Sequence, residues 1–479
     1  MASNPAYNSI ATFLPDDAPP NLLPSYHSKV CISEIPPIGY NGARGPWALP
    51  LDVLTEVMSI SRLQAAGLMA TCRLLYALGP SYVLCHGVVL RTRLQMVSFV
   101  SFIFADAGRL AYMRSLDLGV GVFAPLRDGE VDGTDASFAD LLTHPGVTLD
   151  TLILYDMEKM LACNPRLVAA VGALCTLKRL YAHGVGRAAL DALRTMRSQL
   201  VSTTVMLMGP LGYTPALRGH SAFSDVFAVL RFSVDTLQEL HLSLGTPINP
   251  VRDIPVSFQF PHVRTLRTVL DTHFPQCALL RLFPNLQNLH LVPGLGSFDI
   301  AVDPNAAFFM AALRDANGKI GLSPSLRLLE CSGEVTSLYP LSAHLTVSKL
   351  QICSYPGTRE LPFLRVVLAD VQPAKLELNV YDLGVVEEVA NILQELVPWT
   401  LRVLTLNVSF RPEDSDQVAA EKRLQAALEI LLQTGSVLKV VVNAPPRSLV
   451  LRDDSGPPSS ENLPPDFLPV PASSSSKEA

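Results

Sequence analysis

The sequence predicts an α+β chain in which a small all-α module precedes a long α/β region built of repeating units. Three observations predict it. A Leu-Pro entry opens a set of short amphipathic helices within 47–105, a Leu-x-x-Leu-x-Leu pattern recurs through 106–442, and Pro- and Ser-rich stretches fill 1–46 and 443–479. At roughly 150 residues per domain, 479 residues allow about three domains, or one repeat array with a module attached. Hydrophobic residues make up 49% and charged residues 17%, so the chain must bury most of itself.

Both ends predict disorder. Pro5, Pro15, Pro19, Pro20, Pro24, Pro36, Pro37 and Pro46 deny the leader both helix interior and sheet ladder. From Asn443 onward Pro and Ser dominate, and ordering that tail would cost entropy without enough burial to offset it.

Between Trp47 and Leu84 the details agree on helices. Pro50 suits a first helical turn and pushes Leu49 toward an extended conformation just outside. Leu51, Leu54 and Met58, with Val53 and Val57 beside them, form a wide apolar stripe. Ser61 and Gln64 make an S-x-x-Q capping box for a second helix through Leu63, Leu68 and Met69. A third runs through Cys72, Leu75, Tyr76 and Leu78, and Gly79-Pro80 is expected to stop it. Helices this short cannot enclose a core alone, so a partner or the following domain must cover them.

From Tyr112 onward the leucine signature returns. Full copies are Leu237-x-x-Leu240-x-Leu242, Leu286-x-x-Leu289-x-Leu291 and Leu401-x-x-Leu404-x-Leu406. Weaker ones fall at Leu116/Leu118, Leu152/Leu154, Leu177/Leu180, Leu326/Leu329, Leu350/Ile352 and Leu376/Leu378. Side chains alternate along a strand, so each Leu-x-Leu pair points into a shared core and the residue between points out. Amphipathic stretches at 187–200, 307–314, 385–396 and 418–432 supply helices for the other side. The outward residues Asp117, Ile153, His241, His290, Glu377 and Thr405 are the candidate target-binding set, flanked by Gln238, Asn288 and Arg402. They are expected on the concave face of a curved array, with a non-repeat α/β sheet as the rival architecture.

Two resemblances follow from these residues. Leu49-Pro50-x-Asp52-Val53-Leu54-x-x-Val57-Met58, then Leu68-Met69-x-x-Cys72-Arg73, resembles the F-box motif of fungal-type proteins, the module that docks substrate receptors onto the Skp-type adaptor of SCF ubiquitin ligases. The leucine pattern is similar to an irregular leucine-rich repeat. The fold class thus implied is an F-box-like all-α module followed by an α/β leucine-rich-repeat-like solenoid. The first resemblance implies Leu49, Pro50, Val53, Leu54, Val57, Met58, Leu68, Met69 and Cys72 as adaptor-side residues, a cullin scaffold reached through the adaptor, and an unknown target protein. It implies a non-catalytic receptor subunit; a repeat scaffold with no ligase connection is the alternative.

Composition excludes other classes. A net charge of −6, from 37 basic and 43 acidic residues, supplies no footprint for nucleic acid or an anionic membrane. Eight cysteines form no C-x-x-C unit, and the ten histidines are scattered, so neither a metal nor another cofactor is expected. The most apolar run, 94–105, is far shorter than the roughly 20 residues that span a bilayer, and no secretory leader opens the sequence, which places the chain in the cytoplasm, the nucleus or both. The strongest enzymatic lure is His183-Gly184-Val185-Gly186-Arg187-Ala188-Ala189, a G-x-G-x-x-A between a strand and a helix. No acidic residue ends a second strand within 201–208, as dinucleotide binding would require. A second match at 119–124 runs straight into Pro125, where a phosphate-binding helix ought to begin.

Overall fold

The structure is a computed structural model and describes residues 50–60, 62–123, 134–207, 222–243, 259–270, 276–293, 305–320, 326–354, 356–380, 383–396, 401–408, 422, 425–426, 429 and 439–443. The Pro-rich leader, Leu49, the Ser61 cap and the tail beyond Asn443 lie outside these residues, as does most of the expected helix at 418–432.

Among the described residues thirteen strands form one all-parallel sheet whose spatial order is the chain order. They are β1 (Val88–Leu90), β2 (Ser115–Leu118), β3 (Thr151–Leu154), β4 (Arg179–Val185), β5 (Ser202–Leu207), β6 (Glu239–Ser243), β7 (Thr265–Leu270), β8 (Asn288–Pro293), β9 (Arg327–Gly333), β10 (Thr346–Ile352), β11 (Lys375–Val380), β12 (Val403–Val408) and β13 (Lys439–Asn443). Parallel neighbours cannot be joined by a hairpin, and helices fill many of the crossovers. The helices are α1 (Leu51–Ile60), α2 (Arg62–Met69), α3 (Arg73–Cys85), α4 (Arg93–Phe104), α5 (Thr134–Thr143), α6 (Met157–Cys163), α7 (Pro165–Ala173), α8 (Arg187–Thr195), α9 (Ala222–Val229), α10 (Gln276–Leu280), α11 (Ala306–Ile320), α12 (Val335–Leu338), α13 (Leu361–Val371) and α14 (Leu383–Glu395).

Register explains the leucines. Leu116, Leu152 and Leu180 pair across β2–β4, and Leu240, Leu266 and Leu289 across β6–β8. Leu350, Leu376 and Leu404 do the same across β10–β12. All nine are buried in one continuous core. The step of three residues before the Leu-x-Leu pair has its own cause. The carbonyls of Arg114, Asp150, Lys178, Val201, Gln238, Arg264 and Gln287 each accept two consecutive N–H groups at the entry of the next strand. That shared acceptor breaks the alternation once per turn, at the same place each time. Where leucine is absent, aromatics fill the space: the rings of Phe227, Phe260 and Phe283 lie 5.8–6.3 Å apart, centroid to centroid.

Several expectations are corrected. The chain is α/β, not α+β with a separate all-α module. Leu84 of α3 and Met96, Phe99, Val100 and Ile103 of α4 belong to the same core as the strands, and β1 interrupts the stretch expected to be helical. Nor does Gly79-Pro80 end the third helix: α3 runs through both to Cys85. Interior proline costs about 3 kcal/mol, yet both residues are buried, and Gly79 lies so close to Met69 that a Cβ would collide with it. Packing at that contact outweighs the local stop signal. The copy expected at Leu326/Leu329 is also misplaced. Leu329 is 57% exposed, and the inward residues of β9 are Leu328 and Cys331.

Candidate functional site

The residue between each inward pair falls in a single row across the sheet. Register carries it from Val89 through Asp117, Ile153, Tyr181, Thr204 and His241 to Arg267. It continues through His290, Ser332, Gln351, Glu377 and Thr405 to Val441. All six sequence-derived candidates, Asp117, Ile153, His241, His290, Glu377 and Thr405, stand in it. Each is half-buried where its leucine neighbours are fully buried, as the alternation of a one-sided strand requires. Sequence reasoning missed Val89, Tyr181, Thr204, Arg267, Ser332, Gln351 and Val441.

Along the row the chemistry changes. At the β1–β2 end, Arg91 grips Asp117 through two hydrogen bonds of 3.0 and 3.1 Å and lies over the Tyr155 ring. Burial still raises the Asp117 carboxyl above its usual range against the pull of Arg91. In the middle, burial lowers the histidines. His183 packs on Tyr155 with centroids 5.1 Å apart, and His290 Nδ1 lies 2.7 Å from Ser332 Oγ. His241 falls furthest, to about 4, through burial first and then through Arg267 and His183. Its Nε2 is enclosed and has no hydrogen-bond partner among the described residues. These rings are neutral at pH 7, so they present flat, weakly polar surface and not charge.

Toward β9–β12 the face is a polar network. Lys349 Nζ reaches Glu330 at 2.9 Å and Glu377 at 3.5 Å. Gln351 Nε2 donates to Glu377 Oε1 at 3.3 Å, and Asn407 Nδ2 donates to the same oxygen at 3.1 Å. Asn407 also donates to Asn379 Oδ1 at 2.9 Å, and Asn379 donates to the Cys353 carbonyl at 3.0 Å. The acids here are answered within the protein.

The adaptor-side set is divided. Pro50, Val53 and Cys72 are exposed, Leu54, Val57, Leu68 and Met69 are half-buried, and Met58 is fully buried. Met58 packs the helices and cannot be a contact as it stands. Leu51 and Ile60, 41% and 69% exposed, were not in the set and extend the apolar surface of α1.

The G-x-G-x-x-A segment has a structural use. Gly184 takes φ +65° with its Cα side against the Asp156 backbone, a conformation that favours glycine. Gly186 admits the Glu158 side chain, whose carboxylate accepts the N–H groups of Ala188 (3.1 Å) and Ala189 (3.0 Å) at the start of α8. The amides that a pyrophosphate would need are taken by an internal anion. In the second G-x-G-x-x-A, Gly121 and Val122 lie in a turn, and Ala124 is outside the described residues.

A groove of about 600 Å³ between α3, β1 and α4 is lined by apolar residues such as Val83, Val89, Leu94, Phe99 and Phe102, with Tyr76, Gln95 and Ser98. Its lining holds no carboxylate, imidazole, thiol or amine, and its polar groups are the Tyr76 and Ser98 hydroxyls and the Gln95 amide. Among the described residues no three His, Cys, Asp or Glu side chains gather as a metal site, and no helix is long and apolar enough to cross a membrane. No family model matches the chain, and no curated protein matches it either.

Proposed function

We propose that the chain is a non-catalytic receptor that holds a protein target on the half-buried strand face and is itself held by a Skp-type adaptor of an SCF-type ubiquitin ligase. The observation that carries target binding is the unbroken row from Val89 to Val441, a mixed polar and aromatic track of the kind that protein surfaces recognise. Its contribution to rate would be proximity, since bringing target lysines near a charged enzyme requires no catalytic residue.

Adaptor docking is supported by the Leu-Pro motif and by the exposed Leu51, Val53 and Ile60 on α1. It does not rest on a separate helical domain. The experiment is co-purification of the adaptor with the full chain, with Leu49→Ala/Pro50→Ala, and with Leu51→Asp/Val53→Asp. The reading expects both variants to lose the adaptor; equal recovery from all three removes the ligase connection and leaves the non-ligase scaffold, which the strand face equally supports.

A further inference from the structure

The strand face is electrically uneven. Asp117 is answered by Arg91, and Glu330 and Glu377 by Lys349. Arg267 on β7 is different. It is exposed, stands in register between His241 and His290, and makes no hydrogen bond or ion pair with any described residue. The nearest acid on the neighbouring strand, Glu239, is exposed two residues before His241. The central track therefore offers a guanidinium with two uncharged rings as walls.

Such a setting favours one kind of ligand atom. A carboxylate can take two parallel N–H bonds from one guanidinium, and flanking walls that carry no charge exclude water without competing for the anion. Resting on the receptor reading above, we propose that Arg267 anchors an acidic side chain of the bound target, so that the segment crossing β6–β8 carries an Asp or Glu. The occupant is thus an extended protein segment with at least one carboxylate, argued from charge complementarity: Asp117 and Glu377 in the row are matched by described residues, and Arg267 is matched by none of them.

The test is selection of a random twelve-residue peptide library on phage against the immobilised full chain, in parallel with Arg267→Gln and Arg267→Glu. All three should fold alike by circular dichroism, because the side chain is exposed. Wild type is expected to enrich Asp or Glu at one position, with resynthesised peptides bound roughly tenfold more tightly than their Asn or Gln counterparts. Arg267→Gln should abolish that preference, and Arg267→Glu should replace it with Lys or Arg. An acidic preference that survives Arg267→Gln overturns the anchor. Peptides selected without any acidic position, yet lost on Ile153→Asp or Thr405→Lys, overturn the anchor and leave the receptor reading standing. Binding indifferent to every face variant, or no selection above a no-protein control, overturns both.

Discussion

Acidification should destabilise this protein, and His241 allows the amount to be worked out. An imidazole ordinarily titrates near 6.5; burial, with Arg267 and His183 adding to it, holds His241 at about 4. The unfolded chain therefore binds a proton between these values that the folded chain refuses. Above pH 6.5 both states are neutral and nothing changes; as pH falls toward 4 stability is lost, and below 4 the loss is complete. The difference of about 2.5 units corresponds to roughly 3 kcal/mol in full, of which about 2 kcal/mol has gone by pH 5. His183 and His290 are lowered in the same direction, so the wild-type loss should exceed the His241 share. Urea unfolding followed by far-ultraviolet circular dichroism at pH 7 and pH 5, on wild type and His241→Gln, isolates that share. The variant should lose about 2 kcal/mol less between the two pH values. Identical losses, or an NMR titration placing His241 near 6.5, would refute the reasoning.

Three further outcomes are expected. Leu289→Ala removes a fully buried side chain from the inward row and should cost about 3 kcal/mol, read as a lower urea midpoint. Gly79→Ala should cost about 1–3 kcal/mol because the new methyl meets Met69, whereas Gly318→Ala in α11, which has open space around it, should be neutral or stabilising by up to about 1 kcal/mol; paired thermal melts compare them. Glu158→Ala uncaps two amides of α8 and should cost about 1–2 kcal/mol, while nucleotide binding, assayed by fluorescent NAD analogues, should stay absent in wild type and variant alike.

What could be read from the sequence follows from what a side chain reports locally. Leucine at alternating positions says both that a strand is present and which residue points away, so six members of the face row were legible before any fold was known. β1 was missed because it is a run of three whose inward residues are Val88 and Leu90, and β13 because its sequence, KVVVN, contains no leucine. β7 was missed because Thr268 takes the second inward place and is fully buried there, which hid Arg267 as well. The all-α module failed for a different reason. Periodicity shows that a helix has an apolar stripe, not what covers it, and α4 turned its stripe to the core of the sheet. Likewise, Gly-Pro is a stop signal only where nothing nearby compensates; at Gly79 a close neighbour does.

Strands laid down in the order of synthesis have a consequence for how such a chain can change. Each joins only the one made just before and the one made just after, so a whole strand-and-crossover could be duplicated or deleted and its neighbours would meet again with their bonding edges matched. Lengthening or shortening the track is then a single event in the gene, open to selection without redesign of the rest.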